Sequence, residues 1–437
     1  MRSLVVSLVA LALAAPAERT YLDAARDAAK WIRSTAIKTD AGLTWPADPN
    51  DPKSASNTTL YSGSPGVVLF FLELHKATGD AAYLADARAG ADELIAQLPQ
   101  AQGSGLYVGT AGIGFTLGEV YRATGDARYG DAMRRVVQSL IDRAKPVGKG
   151  VEWGPVTDII SGSAGTGLFL LDVTESLKDT RAVAIAAKAA DRLLEIGISE
   201  HGGLKWPMAA GNARLMANFS HGTAGIAYFL TRTYEATGER KYLDGAIAGA
   251  KYLQAVARTE GNICLIPHHE PDGLELFYLS WCHGPAGTAR LWQALAHATD
   301  DKQWRTWVDR SARALLQSGI PEKRTEGFWN NVSQCCGSAG VAEFFLDLYG
   351  VTKDPSHLKF AKRMTEDLLA RGTRDEKGLR WVQAEHRVQP NLLIAQTGYM
   401  QGAAGIGMWL LRLDGAENDR QPFVKFPDNP WQVRTKR

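Results

Sequence analysis

Seven Gly-x-x-Gly turns punctuate this chain, each opening onto an apolar run, and they constrain its fold more than any other feature. The pairs are Gly63/Gly66, Gly109/Gly112, Gly162/Gly165, Gly222/Gly225, Gly284/Gly287, Gly337/Gly340 and Gly402/Gly405, with consecutive copies 46 to 65 residues apart. That spacing accommodates one helical hairpin per repeat. Length alone allows two or three domains in 437 residues, but an unbroken repeat argues for one closed array. Repeats set equivalent positions at equivalent depths. Side chains just before the glycines should therefore gather at one mouth of the assembly.

Apolar stretches such as 67–74, 113–121 and 226–234 follow the glycines and read as helices. Several stop at a near-identical signal: Ala77-Thr78-Gly79-Asp80, Ala123-Thr124-Gly125-Asp126 and Ala236-Thr237-Gly238-Glu239. A glycine there closes a helix in the left-handed conformation, and the acidic residue after it caps or charges the next one. The second helices are amphipathic, as Tyr129, Met133, Val136, Val137 and Leu140 illustrate. Seven are expected, near 21–36, 80–98, 126–143, 180–197, 239–257, 301–318 and 354–370. The glycine-led set is apolar on most sides and belongs inside, with the amphipathic set around it. The expected fold is all-α, an (α/α)7 toroid of seven hairpins. The glycines are read as places where helix starts leave no room for a Cβ, or where the turn needs a positive φ. A weaker Gly-Leu-x-Trp motif at 42–45, 203–206 and 378–381 suggests short extended segments whose indoles cover the barrel end.

Residues 1–17 have the order of an export signal: Arg2, an apolar run from Leu4 to Ala15, then small residues ahead of Glu18. The run is shorter than the about 20 residues a membrane span needs. The expected mature protein is one domain over 18–415 with an irregular polar tail at 416–437, secreted or periplasmic and monomeric. A buried first helix is the other reading, and it leaves the chain in the cytoplasm. A net charge of +2 and the lack of a basic block give no case for nucleic acid or an anionic membrane.

Chemistry concentrates before four of the turns, at Asp158, His221, Cys282 and the Cys335–Cys336 pair. The three cysteines supply the ligand number of a catalytic zinc site with an open fourth position. Helix N-termini favour their ionised form. Taken alone, each favours a small buried core residue; together at one repeat position, they favour a metal site. A bridge between adjacent Cys335 and Cys336 is disfavoured, since disulfides want Cα atoms about 5.5 Å apart. Cys264 reads as a buried thiol or a bridge partner, and His268 and His269 as exposed loop residues. Tyr61, Tyr107, Trp153 and Trp329 either line the mouth or are simply buried.

The motifs Trp281-Cys282-His283-Gly284, Cys335-Cys336-Gly337, Ser220-His221-Gly222 and Asp158-x-x-x-Gly162-x-x-Gly165 together resemble the lanthionine synthetase C-like family across the mature chain. The resemblance implies an (α/α)7 barrel, a single zinc ion, and addition of a peptide cysteine to dehydroalanine or dehydrobutyrine to give a thioether. Animal relatives are linked instead to glutathione. By position, Cys282 and Cys335 match zinc ligands, and Cys336 stands where many members have histidine. His221 matches the acid/base and Asp158 its acidic neighbour. Tyr278 and His283 depart from the pattern, standing where arginine and tyrosine are common.

The residues suit that chemistry on their own terms. Zinc removes the proton from a thiol that otherwise titrates near 8.5, and three thiolates leave the complex at a formal −1. A histidine near pKa 6.5 can return a proton to the enolate formed by addition, with Asp158 holding its ring. The implied partner is a thiol-containing peptide or a small thiol. Two other readings stay open: a zinc scaffold that binds a thiol without turnover, and a toroid glycosidase, which needs a carboxylate pair where the turns offer Asp158 alone.

Overall fold

The computed structural model describes residues 20–432, apart from 52, 55–56, 178, 210 and 213. The export signal expected at 1–17 lies outside these residues. Fourteen α-helices alternate along the described chain: α1 (Tyr21–Ser34), α2 (Ser64–Thr78), α3 (Ala81–Gln97), α4 (Thr110–Thr124), α5 (Ala127–Arg143), α6 (Ser163–Leu177) and α7 (Thr180–Ile196). The second half repeats the order with α8 (Thr223–Thr237), α9 (Arg240–Val256), α10 (Pro285–Thr299), α11 (Lys302–Gln317), α12 (Ser338–Thr352), α13 (Pro355–Ala370) and α14 (Ala403–Glu417). The even-numbered helices form the inner ring. In α2 every residue from Ser64 to Leu74 is buried, and in α10 every residue from Pro285 to Ala296. Odd-numbered helices bury one stripe, as Tyr129, Met133, Val136, Val137 and Leu140 do in α5. The toroid expected from the repeat is the observed architecture.

Six hairpins join consecutive helices, α2 to α3 through α12 to α13. The seventh pairs α14 with α1, so the two ends of the chain close the ring. Five of the outer helices start on an aspartate cap, and α1 starts on a capping box of Thr20 and Asp23. Asp80, Asp126, Asp179, Asp301 and Asp354 accept from the backbone N–H two residues on. Glu239, one methylene longer, makes no such bond. The stop glycines Gly79, Gly125 and Gly238 have φ of 71°, 68° and 74°, and Asp300 and Lys353 take the same left-handed role where glycine is absent.

The Gly-x-x-Gly glycines obey a different rule. Among them only Gly109 has a positive φ, at 152°. Close approach explains the rest: a Cβ on Gly287 would sit 1.8 Å from the Trp281 carbonyl oxygen, and one on Gly165 2.0 Å from that of Ile159. In all seven copies the second glycine faces the carbonyl six residues upstream. The turn folds back onto its own helix start, and a side chain there has nowhere to go.

Short antiparallel strand pairs link outer to inner helices, including Ile198–Glu200 with Gly203–Lys205 and Thr373–Asp375 with Gly378–Arg380. Trp206 and Trp381 are buried, and their indole N–H groups donate to the Leu193 and Leu368 carbonyls at 2.6 and 2.8 Å, clamping each strand pair to the outer helix before it. Trp153 makes the same bond to Leu140 at 2.7 Å without the Gly-Leu motif.

The segment beyond α14 is irregular but is no loose polar tail. It threads the ring axis from the C-terminal ends of the inner helices. Phe426 stacks on Tyr399 at 4.7 Å and lies 5.4 Å from Phe115. The Arg290 guanidinium donates to the Asp428 carbonyl at 2.9 Å and its carboxylate at 3.1 Å, while Tyr228 donates to the Pro427 carbonyl at 3.0 Å. Arg412 bridges Glu343 and Asp347 beside Asn429. Pairing with inner-helix groups offsets part of the cost of carrying Asp428 and Asn429 to the axis.

A candidate metal centre at the mouth of the ring

The seven residues two places before each leading glycine are Tyr61, Tyr107, Ile160, Ser220, Cys282, Cys335 and Met400. Their backbones form a belt. Six of the seven N–H groups donate to the carbonyl of the next copy: Tyr61 to Tyr107 at 2.9 Å, Tyr107 to Ile160 at 3.0 Å, Ser220 to Cys282 at 3.0 Å, Cys282 to Cys335 at 3.1 Å, Cys335 to Met400 at 2.9 Å, and Met400 back to Tyr61 at 2.8 Å. Among the described residues one link is missing, between Ile160 and Ser220. There Asp158 and His221 join the same two turns through their side chains, His221 Nδ1 lying 2.5 Å from Asp158 Oδ2.

The belt brings the cysteines together. Cys282 Sγ is 3.5 Å and Cys335 Sγ 3.4 Å from Cys336 Sγ, all three sulfurs lie within 4.8 Å of one another, and none is in a disulfide. Cys282 and Cys335 hold the same belt position in adjacent copies, and Cys336 is one residue further on. The expectation that all of these groups share one repeat position therefore needs refinement. His221 aligns with Cys336, while Asp158 stands four residues before its leading glycine.

Electrostatics favour one ionised sulfur in the cluster. Burial opposes ionisation of Cys282, but hydrogen bonds from the Cys335 and Cys336 thiols outweigh it and hold Cys282 well below the ordinary thiol range. The thiols that donate, Cys335 and Cys336, are pushed well above it. Ser280 Oγ lies 3.3 Å from Cys282 Sγ. Tyr61 donates its hydroxyl to Cys335 Sγ at 3.4 Å, and Gln401 Nε2 reaches Cys336 Sγ at 3.5 Å and the Tyr61 hydroxyl at 3.0 Å. Gln401 and Ser280 escaped the sequence reading, and Tyr61 was left ambiguous. Register would have found two of them: Tyr61 occupies the belt position of Cys282 and Cys335, and Gln401 that of Cys336.

His221 remains 31% exposed at its side chain, whereas Asp158 is 1% exposed. Asp158 Oδ1 accepts from the backbone N–H groups of Ser161 and Gly162 at 2.7 and 2.9 Å, which fixes the carboxylate while Oδ2 faces the imidazole. Burial lowers the His221 pKa, but the hydrogen bond and charge of Asp158, helped by Cys282, reverse this and raise it above 6.5. A wall of rings stands beside it. His283 stacks on His221 at 5.6 Å and lies 4.3 Å from His268, which is in turn 4.3 Å from Tyr278. Burial holds His283 near pKa 4 and His268 near 2, so both are neutral. His268 and His269 are thus not exposed loop residues: His268 is half-buried and His269 buried, because their loop folds into the mouth, with His268 N–H donating to the Leu276 carbonyl at 2.8 Å. Cys264 is a buried free thiol away from the cluster, pushed to about 12 by burial.

A family model described as lanthionine synthetase C-like protein matches residues 54–427. The chain belongs to the lanthionine synthetase C-like family. Over 139 residues it is 25% identical to a Danio rerio protein named glutathione S-transferase LANCL1, a match covering 32% of each chain. Among solved structures it is similar to nisin cyclase, with a TM-score of 0.61 at 16% identity over 93% of this chain and 96% of that one. It is also similar to an alpha-1,6-mannanase from a Salegentibacter species, with a TM-score of 0.52 at 13% identity over 90% and 99% of the two chains. At such identities these structures share the α/α toroid with this family member, and only that.

Proposed function

We propose that this chain adds a cysteine thiol across the double bond of a dehydroalanine or dehydrobutyrine residue, forming a thioether, with one zinc ion held by Cys282, Cys335 and Cys336. The observation that carries this reading is three free, buried sulfurs within 4.8 Å of one another on the belt that also carries the His221–Asp158 pair. The donor set fits the ion. Three soft thiolates within 4.8 Å of one another are the donor set zinc takes, with a fourth position left for a substrate thiol. Cys282, Cys335 and Cys336 would hold the ion, which would supply a lowered pKa for a substrate thiol bound beside them.

The protein's own groups do the rest. Tyr61, Gln401 and Ser280 place hydroxyl and amide groups on the three sulfurs and hold them in place. Asp158 orients His221 through Nδ1 and raises its pKa. As the carbon–sulfur bond forms, the π pair moves onto the α-carbon and its carbonyl, and His221 delivers a proton to that carbon. The thiol's own proton restores His221, so one S–H and one π bond are exchanged for one C–S and one C–H bond.

The test is metal analysis of the purified protein beside product analysis with a dehydrated cysteine peptide. One zinc per chain is expected, and His221→Ala should keep the zinc while slowing thioether formation about 10²- to 10⁴-fold. Full activity in the zinc-loaded His221→Ala protein defeats the assigned mechanism. Thiol binding with no turnover in the wild type instead favours a zinc scaffold that only captures thiols. The mannanase-like fold does not favour glycoside cleavage, since Asp158 is engaged by His221 and two backbone N–H groups.

A further inference from the structure

We propose that Arg387, held by the Tyr278 hydroxyl, is a specificity-determining residue that receives a carboxylate of the thiol substrate. This rests on the thiol site above and narrows its substrate class. Arg387 belongs to the turn between strands Gln383–Ala384 and Leu393–Ile394. The base of that hairpin is fastened to the chain leading into Cys335: Trp329 Nε1 and Asn331 Nδ2 donate to the Ala384 carbonyl at 3.1 and 3.0 Å. Arg387 Nε then donates to the Tyr278 hydroxyl at 2.8 Å. Tyr278 lies against His268, His283 and Trp329, with ring centroids at 4.3, 5.7 and 5.2 Å. The guanidinium is therefore anchored by Tyr278, which stands four residues upstream of Cys282.

Its remaining hydrogen-bonding capacity suggests the ligand. Nη1 already pairs with the Glu326 carboxylate, whose side chain is 67% exposed, while Arg387 is 25% exposed. Among the described residues Nη2 makes no hydrogen bond. An exposed partner contributes little and exchanges readily, whereas the planar fork takes a carboxylate through two parallel bonds. Glu326 thus occupies a place that a substrate carboxylate can take or share. Charge adds a reason for a cation here. A thiolate cluster repels a second anion, and an acidic thiol needs a fixed positive group to approach it.

Two thiols that differ by one charge test the assignment: N-acetylcysteine and its C-terminal amide, titrated calorimetrically into the zinc-loaded full chain. The wild type should bind the acid about tenfold tighter or more. Arg387→Ala should remove or invert that preference, and Arg387→Lys should keep part of it. Glu326→Gln, at an exposed site where folding is not at risk, should tighten the acid a few-fold and leave the amide unchanged. Equal wild-type affinity for the two thiols overturns the assignment, as does an unchanged ratio in Arg387→Ala. If that variant fails to fold, unchanged acid affinity in Glu326→Gln overturns it. Binding of neither thiol to the wild type defeats the thiol site and this inference together.

Discussion

Two arcs of the same belt differ in what they carry. Copies one to three put Tyr61-Ser62, Tyr107-Val108 and Ile160-Ser161 at the two belt positions; copies four to seven put Ser220-His221, Cys282-His283, Cys335-Cys336 and Met400-Gln401 there. The backbone is the same in both arcs, down to the glycine facing the carbonyl six residues upstream. Tyr107 turns down to the axis, where it lies 6.5 Å from Phe426 and its hydroxyl faces Asp428. Cys282 and Cys335, at the same belt position as Tyr107, form the sulfur cluster. The fold is thus set by glycines and carbonyls that every copy shares, and the chemistry by two side chains per copy that the belt leaves free to vary. The seam between the arcs, where the backbone link is absent, is spanned by Asp158 and His221.

The sharpest way to break this comparison is to remove one sulfur. Cys282→Ala should abolish zinc retention and thioether formation, while Tyr107→Phe, at the same belt position but turned to the axis, keeps both; metal content per chain reads the difference. Next in size is the pH response across the seam. Asp158 raises the His221 pKa above its ordinary value, so activity should fall as pH rises through the raised value. Its stabilising contribution has the same sign: fully present below 6.5 and lost as pH rises through the folded-state value. Asp158→Asn keeps an oxygen for the Ser161 and Gly162 N–H groups and should move the alkaline limb of the rate profile to lower pH. A limb that stays put removes Asp158 from that role.

A third contrast separates the two kinds of glycine. Gly287→Ala forces a Cβ to 1.8 Å from the Trp281 carbonyl and should cost a few kcal/mol, in the upper range for single substitutions. Gly79→Ala meets nothing within 4 Å and strains only its positive φ, for about 1 kcal/mol. Denaturant midpoints of the two variants should rank accordingly. Smallest is the effect of Tyr61→Phe, which removes one hydroxyl from Cys335 Sγ. Zinc should stay bound, with a loss in rate of roughly tenfold from one hydrogen bond to a charged group.

Much of this was legible beforehand. The amphipathic helix expected near 126–143 is observed at Ala127–Arg143, and that near 354–370 at Pro355–Ala370. Those signals are local: a helical period, a stop glycine, an aspartate cap. The cysteine cluster was legible because repetition turns sequence position into depth. The burial of His268 and His269 was not, since a loop flanked by prolines carries no periodic signal of what it covers.

Residue order alone determined the ring, its inner and outer layers and the cysteine, histidine and aspartate set at its mouth, because each follows from patterns a few residues long repeated along the chain. Tertiary structure decided what joins distant parts. α1 closes against α14, the last residues plug the axis, Tyr61 reaches Cys335 across 274 positions, and Arg387 meets Tyr278 across 109. Such contacts arise from packing between surfaces built independently, and no local pattern encodes which surface a side chain will meet once the circle is shut.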